Sequence, residues 1–313
     1  MNVPPLRPPG RDRQHLVERA VEAMGVSRPA AEARAAPAAA PPSAGKPAGA
    51  AGTAPPLQRQ TEAPPLPTIG REALAALGLM VGSAQGARSR IAEEYSVIHH
   101  AVLRTIRSTP SVDGRCGRIV MVTSARPGEG KTFTALNLAA ALAVGSQRTV
   151  VLVDCDGKVG SLTDRLGLRN EVGLCCLAAD PLSRGLPPLH PTAVPRLLAL
   201  GYGRSGRPGS PPPATLGAVL LRLANAYPDH LFVLDTPPCL ATAEASLLAP
   251  VVGQVVMVVQ AEATQRAEVE AALDLVDTCP SIELLLNRSL LRGHDAFGAY
   301  GYDDYHAPPP DRP

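Results

Sequence analysis

The run Ala125-Arg126-Pro127-Gly128-Glu129-Gly130-Lys131-Thr132 has the residue types and spacing of a loop that wraps phosphate. Such a loop turns backbone N–H groups toward phosphate oxygens at the start of a helix. Gly128 and Gly130 let the main chain approach without a Cβ in the way. Lys131 supplies positive charge to the β and γ phosphates, and Thr132 a hydroxyl to magnesium. Pro127, Gly128, Glu129, Gly130, Lys131, Thr132 and Phe133 are therefore the expected nucleotide-binding residues. Ala125 stands where the usual pattern has glycine, which the loop accepts if its φ is negative. A glycine-rich structural turn would not account for the Lys131-Thr132 pair.

Two acidic strand ends lie downstream. Val151-Leu152-Val153-Asp154-Cys155-Asp156 is an apolar run ending in two acids one residue apart. Leu231-Phe232-Val233-Leu234-Asp235-Thr236-Pro237-Pro238 ends in one acid, in the form of a strand that holds a magnesium shell. At the carboxyl ends of strands in an α/β sheet, such acids face the ligand crevice. One acid after a strand is commonly just a helix cap. Three acids at two strand ends, beside a phosphate loop, point to more than capping.

The elements that must position these residues alternate. Residues 118–123 and 149–154 read as buried strands, as do 230–235, 255–260 and 282–287, with 197–200 as a further short one. Helices are expected over 132–144, 215–227, 241–248 and 264–277. Upstream, Ile91, Tyr95, Ile98, Val102 and Ile106 recur at three- and four-residue steps within 88–108 and make one apolar helical stripe. Strands alternating with helices of about a dozen residues predict an α/β fold. The expected class is a P-loop NTPase with a mostly parallel sheet and helices on both faces. It follows a disordered Ala/Pro-rich N-terminus over 1–70, which cannot bury enough apolar surface to offset its ordering entropy. A short helix over 13–24 is the one element suggested there. Residues 71–115 read as a helical lead-in, 116–290 as the P-loop domain and 291–313 as a flexible tail. The Pro-rich stretch 181–213 reads as a surface insertion.

Composition narrows the partners. The 313 residues are 45% hydrophobic but only 3% aromatic, with no Trp, so the core must be aliphatic. A formal net charge of +2 is too small to argue for nucleic acid or an anionic membrane surface. The six cysteines form no CxxC pair and fit a reducing cytosol. No stretch reaches the roughly 18 apolar residues of a membrane span, so a cytoplasmic chain is expected.

At these motifs the chain resembles the bacterial tyrosine autokinases (BY-kinases) of the exopolysaccharide type, notably the exosortase-associated branch. These are cousins of the partitioning and septum-site ATPases. The similar stretch runs over 93–305 and rests on the Ala-x4-Gly-Lys-Thr loop, the Val-Asp-x-Asp strand end, the Asp-Thr-Pro-Pro element, Asn287-Arg288 and the terminal cluster Tyr300, Tyr302, Tyr305. The resemblance implies an ATP- and magnesium-dependent kinase of protein tyrosine that regulates polysaccharide synthesis and export. By it, Lys131, Asp154, Asp156 and Asp235 are catalytic. Asp154 would activate the attacking tyrosine hydroxyl. Thr132, Asp156 and Asp235 would hold magnesium. Asn287 would read the adenine edge through its side-chain amide, a buried turn-forming Asn being the plainer alternative. Tyr300, Tyr302 and Tyr305 would be the autophosphorylation sites. It also implies an inner-membrane chain-length determinant (a polysaccharide co-polymerase) as activator and recruiter, a tyrosine phosphatase to reset the tail, and a homo-oligomeric ring.

The chain departs from that family in places. The positive charge after the second acid survives only at Lys158, within Gly157-Lys158-Val159-Gly160. Glu93 is followed by Ser96 and His99 where the family carries the arginines that join subunits. The middle segment 182–213 lacks the family's usual Asn-Pro-x-Glu-Leu-Leu run, and the tyrosine cluster is short. Two other readings follow. One is a partitioning-type switch ATPase, whose signature lysine would correspond to Arg126. The other is an adaptor that binds ATP to set its shape.

Overall fold

In a computed structural model the described residues are 66–82, 90–112, 114–179, 186–203 and 213–289. The expectations for 1–65, the helix at 13–24 among them, and for the tail tyrosines Tyr300, Tyr302 and Tyr305 lie outside them.

Seven strands form one sheet. They are β1 (Cys116–Ser124), β2 (Val150–Asp154), β3 (His190–Pro191), β4 (Leu197–Leu200), β5 (Leu231–Asp235), β6 (Val252–Gln260) and β7 (Ile282–Asn287). Their order is β3-β4-β2-β5-β1-β6-β7, and every pairing is parallel except β3 with β4. β1, β2 and β5 are apolar without alternation because both of their faces are covered. Val120, Val122, Leu152 and Val233 pack on one side of the sheet; Ile119, Met121, Val151, Val153 and Phe232 pack on the other.

The helices are α1 (Arg71–Ala76), α2 (Arg90–Ser108), α3 (Lys131–Gly145), α4 (Leu162–Arg165), α5 (Leu174–Ala179), α6 (Pro213–Ala226), α7 (Glu244–Leu248) and α8 (Arg266–Leu275). On α2, the expected stripe packs as expected: Tyr95 and Val102 are buried, and Ile91, Ile98 and Ile106 lean on the same core. α3 runs through the middle of that core, buried at eleven of its fifteen residues. A helix apolar nearly all round is a core helix, and this one carries the phosphate loop at its start.

Some boundaries moved. The helix expected over 241–248 begins only at Glu244, because Ala241 N–H closes a turn on Pro238 O at 3.1 Å. α8 starts at Arg266 because the Glu268 carboxylate accepts a bond from Gln265 N–H at 3.0 Å, one half of a capping box. Within the Pro-rich stretch, β4 lies inside the sheet beside β2, and His190–Pro191 adds a two-residue antiparallel edge. That part of the stretch is sheet, not surface insertion. The lead-in is sewn to α3 by Asn137. Its amide oxygen accepts from Met80 N–H at 2.8 Å and Val81 N–H at 3.2 Å, and its amide nitrogen donates to Gly78 O at 3.0 Å.

Candidate nucleotide site

β1 delivers the phosphate loop at the carboxyl end of the sheet, and α3 carries it away. Gly128 and Gly130 hold φ values of 89° and 98°. Among the described residues, the non-glycine positions with positive φ are Gln147, Arg196, Glu262 and Arg288, so Ala125 keeps the negative φ that the loop requires of it. A Cβ on Gly130 would run into the side-chain amide of Asn287, so two separate constraints fix glycine there.

Asp154 and Asp235 are register partners at the ends of the adjacent strands β2 and β5. Lys131, at the first position of α3, reaches over them. Its Nζ lies 2.9 Å from Asp156 Oδ2 and 3.5 Å from Asp235 Oδ1. Lys158 Nζ lies 2.7 Å from the same Asp156 oxygen. Burial works against the lysine's charge, but Asp235 and Asp156 outweigh it and raise the Lys131 pKa. Burial pushes the Asp235 carboxyl up to about 6; Lys131 and a hydrogen bond with the Thr132 side chain pull down, and Asp154 pushes up. Asp235 Oδ1 is buried and accepts no hydrogen bond among the described residues.

The two acids of β2's end have different surroundings. Asp154 is fully buried and saturated. Its Oδ2 accepts from Ser161 Oγ at 2.6 Å, Thr163 Oγ1 at 2.6 Å and Thr163 N–H at 2.7 Å, and its Oδ1 accepts from Asp156 N–H at 2.9 Å. The Asp156 carboxylate is held by lysine side chains instead.

Glu129 also does more than lend a backbone N–H. Its side chain, 2% exposed, accepts from Arg126 N–H at 2.6 Å, from Gln260 N–H at 3.2 Å and from Thr264 Oγ1. The phosphate loop is thereby latched to the turn after β6. Asn287, at the end of β7, donates through Nδ2 to Glu129 O at 2.8 Å. Phe133 turns its ring into the core, edge-on to Tyr95 at 6.2 Å, and Pro127 is exposed at the loop's crown. Arg126 pairs with Glu268 at 3.3 Å.

A nucleotide and magnesium fit these residues. Magnesium takes oxygen ligands, and usually one or two carboxylates besides water and substrate phosphate. Thr132, Asp156 and Asp235 are such a set, and Asp235 Oδ1, ion-paired with Lys131 at 3.5 Å but without a hydrogen bond among the described residues, keeps lone pairs for a metal. No group of three or more His, Cys, Asp or Glu side chains among the described residues could hold a metal by itself.

The sequence pointed to Lys131, Thr132, Asp154, Asp156, Asp235 and Asn287, and all of them come together. It missed the Glu129 side chain, the Ser161–Thr163 cradle and the bridging position of Lys158. Hydroxyls at Ser161 and Thr163, seven and nine residues past a buried acid, were the available signal.

The description "CobQ/CobB/MinD/ParA nucleotide binding domain" matches residues 120–287, from the second half of β1 to the end of β7. The chain belongs to that family, and within it to the group of bacterial tyrosine-protein kinases. It is 32% identical over 210 residues to the tyrosine-protein kinase YwqD of Bacillus subtilis, covering 64% of this chain and 86% of that one. To the tyrosine-protein kinase wzc of Salmonella typhimurium it is 29% identical over 194 residues, which is 60% of this chain but only 26% of wzc. Among solved structures, the kinase domain of Escherichia coli tyrosine kinase ETK aligns with a TM-score of 0.48 at 25% identity, covering 66% of this chain and 76% of that one. No helix among the described residues is long and apolar enough to cross a membrane.

Proposed function

We propose that this chain is an ATP- and magnesium-dependent protein-tyrosine autokinase that regulates exopolysaccharide or capsule synthesis and export. The observation that carries the reading is the placement of Lys131 against both Asp156 and Asp235 at the mouth of the phosphate loop. Without ligand, the lysine and the two carboxylates neutralise one another. With a nucleotide bound, the lysine serves phosphate oxygens and the carboxylates, with Thr132, serve the metal. Magnesium would supply charge neutralisation at the phosphates, which together with positioning is most of phosphoryl-transfer catalysis.

A tyrosine hydroxyl has a pKa near 10 and enters neutral, so a carboxylate that orients its proton is useful. The family resemblance gives that task to Asp154. Its four hydrogen bonds argue for a different one, holding the loop in shape, and leave Asp156 as the carboxylate free to exchange partners. Asn287 supports the loop through Glu129 O, and its remaining amide capacity is what an adenine edge would use. The acceptors are Tyr300, Tyr302 and Tyr305. The reading includes an inner-membrane polysaccharide co-polymerase as activator, a tyrosine phosphatase, assembly with further copies of the chain, and a cytoplasmic place beside the inner membrane.

The test is to incubate the chain with ATP, magnesium and a peptide from a candidate activator tail, then map phosphotyrosine by mass spectrometry. Phosphate on the tail tyrosines, absent in Lys131→Met, supports the reading. ATP binding without phosphotyrosine overturns it, with released phosphate favouring the switch ATPase and its absence the adaptor.

A further inference from the structure

Beside the phosphate site, the loop that follows β2 borders a cleft of about 390 Å³. Lys158, Val159, Arg169 and Asn170 line it, and Thr163 and Tyr202 form part of the wall. The wall is built around one buried carboxylate. Ser161 Oγ and Thr163 Oγ1 both donate to Asp154 Oδ2 at 2.6 Å, and Tyr202 N–H donates to Thr163 Oγ1 at 2.7 Å. Gly157 turns past the Tyr202 ring with φ of 59°, so close that a Cβ there would stand 2.7 Å from it. These contacts hold the cleft open without a ligand.

The cleft and the phosphate site share a residue. Lys158 lines the cleft, and its Nζ touches the same Asp156 oxygen that Lys131 touches, at 2.7 and 2.9 Å. A side chain entering the cleft therefore arrives one carboxylate away from where the phosphate loop ends. The lining has a character of its own. Val159 is 84% exposed, an aliphatic side chain turned to solvent. Of the charged lining residues, Lys158 and Arg169 are basic and Asp164 alone is acidic. Arg169 is paired with Asp164 yet keeps more than half its side chain in solvent.

We propose that this cleft is the acceptor-docking site and that it selects tyrosines flanked by carboxylates. Tyr202 and Val159 receive the aromatic ring, and Lys158 and Arg169 read the acidic neighbours. Asp154 is a positioning residue for the wall. The inference rests on the kinase reading and deepens it. This chain carries a segment of the required type, Tyr302-Asp303-Asp304-Tyr305. In the transfer, the phenolic oxygen forms a bond to the γ-phosphorus of ATP and the bond from that phosphorus to the β–γ bridging oxygen breaks. ADP leaves, and the phenolic proton passes to Asp156 or to water.

The experiment uses the full chain and two labelled synthetic peptides. One has the sequence of residues 298–307; in the other both aspartates are replaced by asparagine. Binding is followed by fluorescence anisotropy with a non-hydrolysable ATP analogue, and phosphorylation with ATP, magnesium and the activator-tail peptide. The wild type is expected to prefer the acidic peptide through KM by on the order of fivefold, the worth of one good exposed charge pair. Arg169→Gln is expected to bring that preference close to one. If both peptides are phosphorylated equally, or the preference survives Arg169→Gln, the docking proposal is overturned and the kinase reading stands. If the acidic peptide binds preferentially, depends on Arg169 and is never phosphorylated, the cleft stands as a peptide site and the kinase reading falls. If neither peptide binds or is phosphorylated, both are overturned.

Discussion

The side-chain amide of Asn287 occupies the space that a Cβ on residue 130 would need, 157 positions earlier in the chain. The last strand of the sheet thus gauges the backbone of the phosphate loop. Gly130→Ala would meet two obstacles, the amide and a φ of 98°. The conformational part alone costs roughly 1–2 kcal/mol. ATP affinity of Gly130→Ala should fall at least tenfold. Asn287→Ala in the same chain should recover only part of it, since the φ remains. Fluorescent nucleotide titration of the single and double variants checks this.

Removing the lysine should separate folding from binding. Lys131→Met strands the buried Asp235 carboxylate, 3.5 Å from the lysine, and leaves Asp156 with Lys158 as its counter-charge. Breaking a buried pair from one side costs on the order of 3 kcal/mol, lessened where a carboxyl can take a proton. The variant should melt lower than wild type in the absence of ATP, and ATP with magnesium should no longer raise its Tm.

Asp235 sets a pH dependence whose sign can be worked out. Its carboxyl titrates at about 6 in the fold against 3.8 as the ordinary value. Between these values the folded form holds a proton that the unfolded form has lost, so stability falls as pH rises from about 4 through about 6. The shift corresponds to about 3 kcal/mol. Burial lowers the His99 and His230 pKa, which works in the opposite direction at acid pH. The clean observable is therefore a difference. Nucleotide-free wild type should lose stability relative to Asp235→Asn as pH rises from 4 to 7, by urea unfolding at each pH.

The two acids at the end of β2 should behave differently when neutralised. Asp154→Asn replaces one acceptor oxygen with a donor amide among Ser161, Thr163 and Asp156 N–H, all of which offer hydrogens. A stability loss of about 3 kcal/mol is expected, with faster hydrogen exchange over 155–163. Asp156→Asn should keep that loop and most of the stability while losing ATP-dependent turnover. If Asp154→Asn proves as stable as wild type, the cradle contributes little to holding the loop.

Much of the site was legible because its signals are local. The phosphate loop, the three acids and the apolar strands that carry them are each written within eight consecutive residues. What escaped joins distant positions or is too short to show a period. Glu129 meets Thr264 across 135 positions and Asn287 across 158, and neither contact has a pattern in the chain. Asn137 reads as an ordinary helix residue, yet it carries the lead-in on three hydrogen bonds. His190–Pro191 is a strand only because β4 lies beside it. The alternatives also gained a physical test. Arg126, at the position of the partitioning ATPases' signature lysine, is engaged with Glu268 of its own chain, which leaves less of its charge for a neighbour.

The most direct test counts two products of one reaction. The full chain, with ATP, magnesium and an activator-tail peptide, would be sampled over time for ADP and for phosphotyrosine by mass spectrometry. Tyrosine phosphorylation on 300, 302 and 305 rising with ADP at close to one phosphate per ADP, and absent in Lys131→Met, is the predicted result. ADP accompanied by free phosphate with no phosphotyrosine would contradict the account and make water the acceptor.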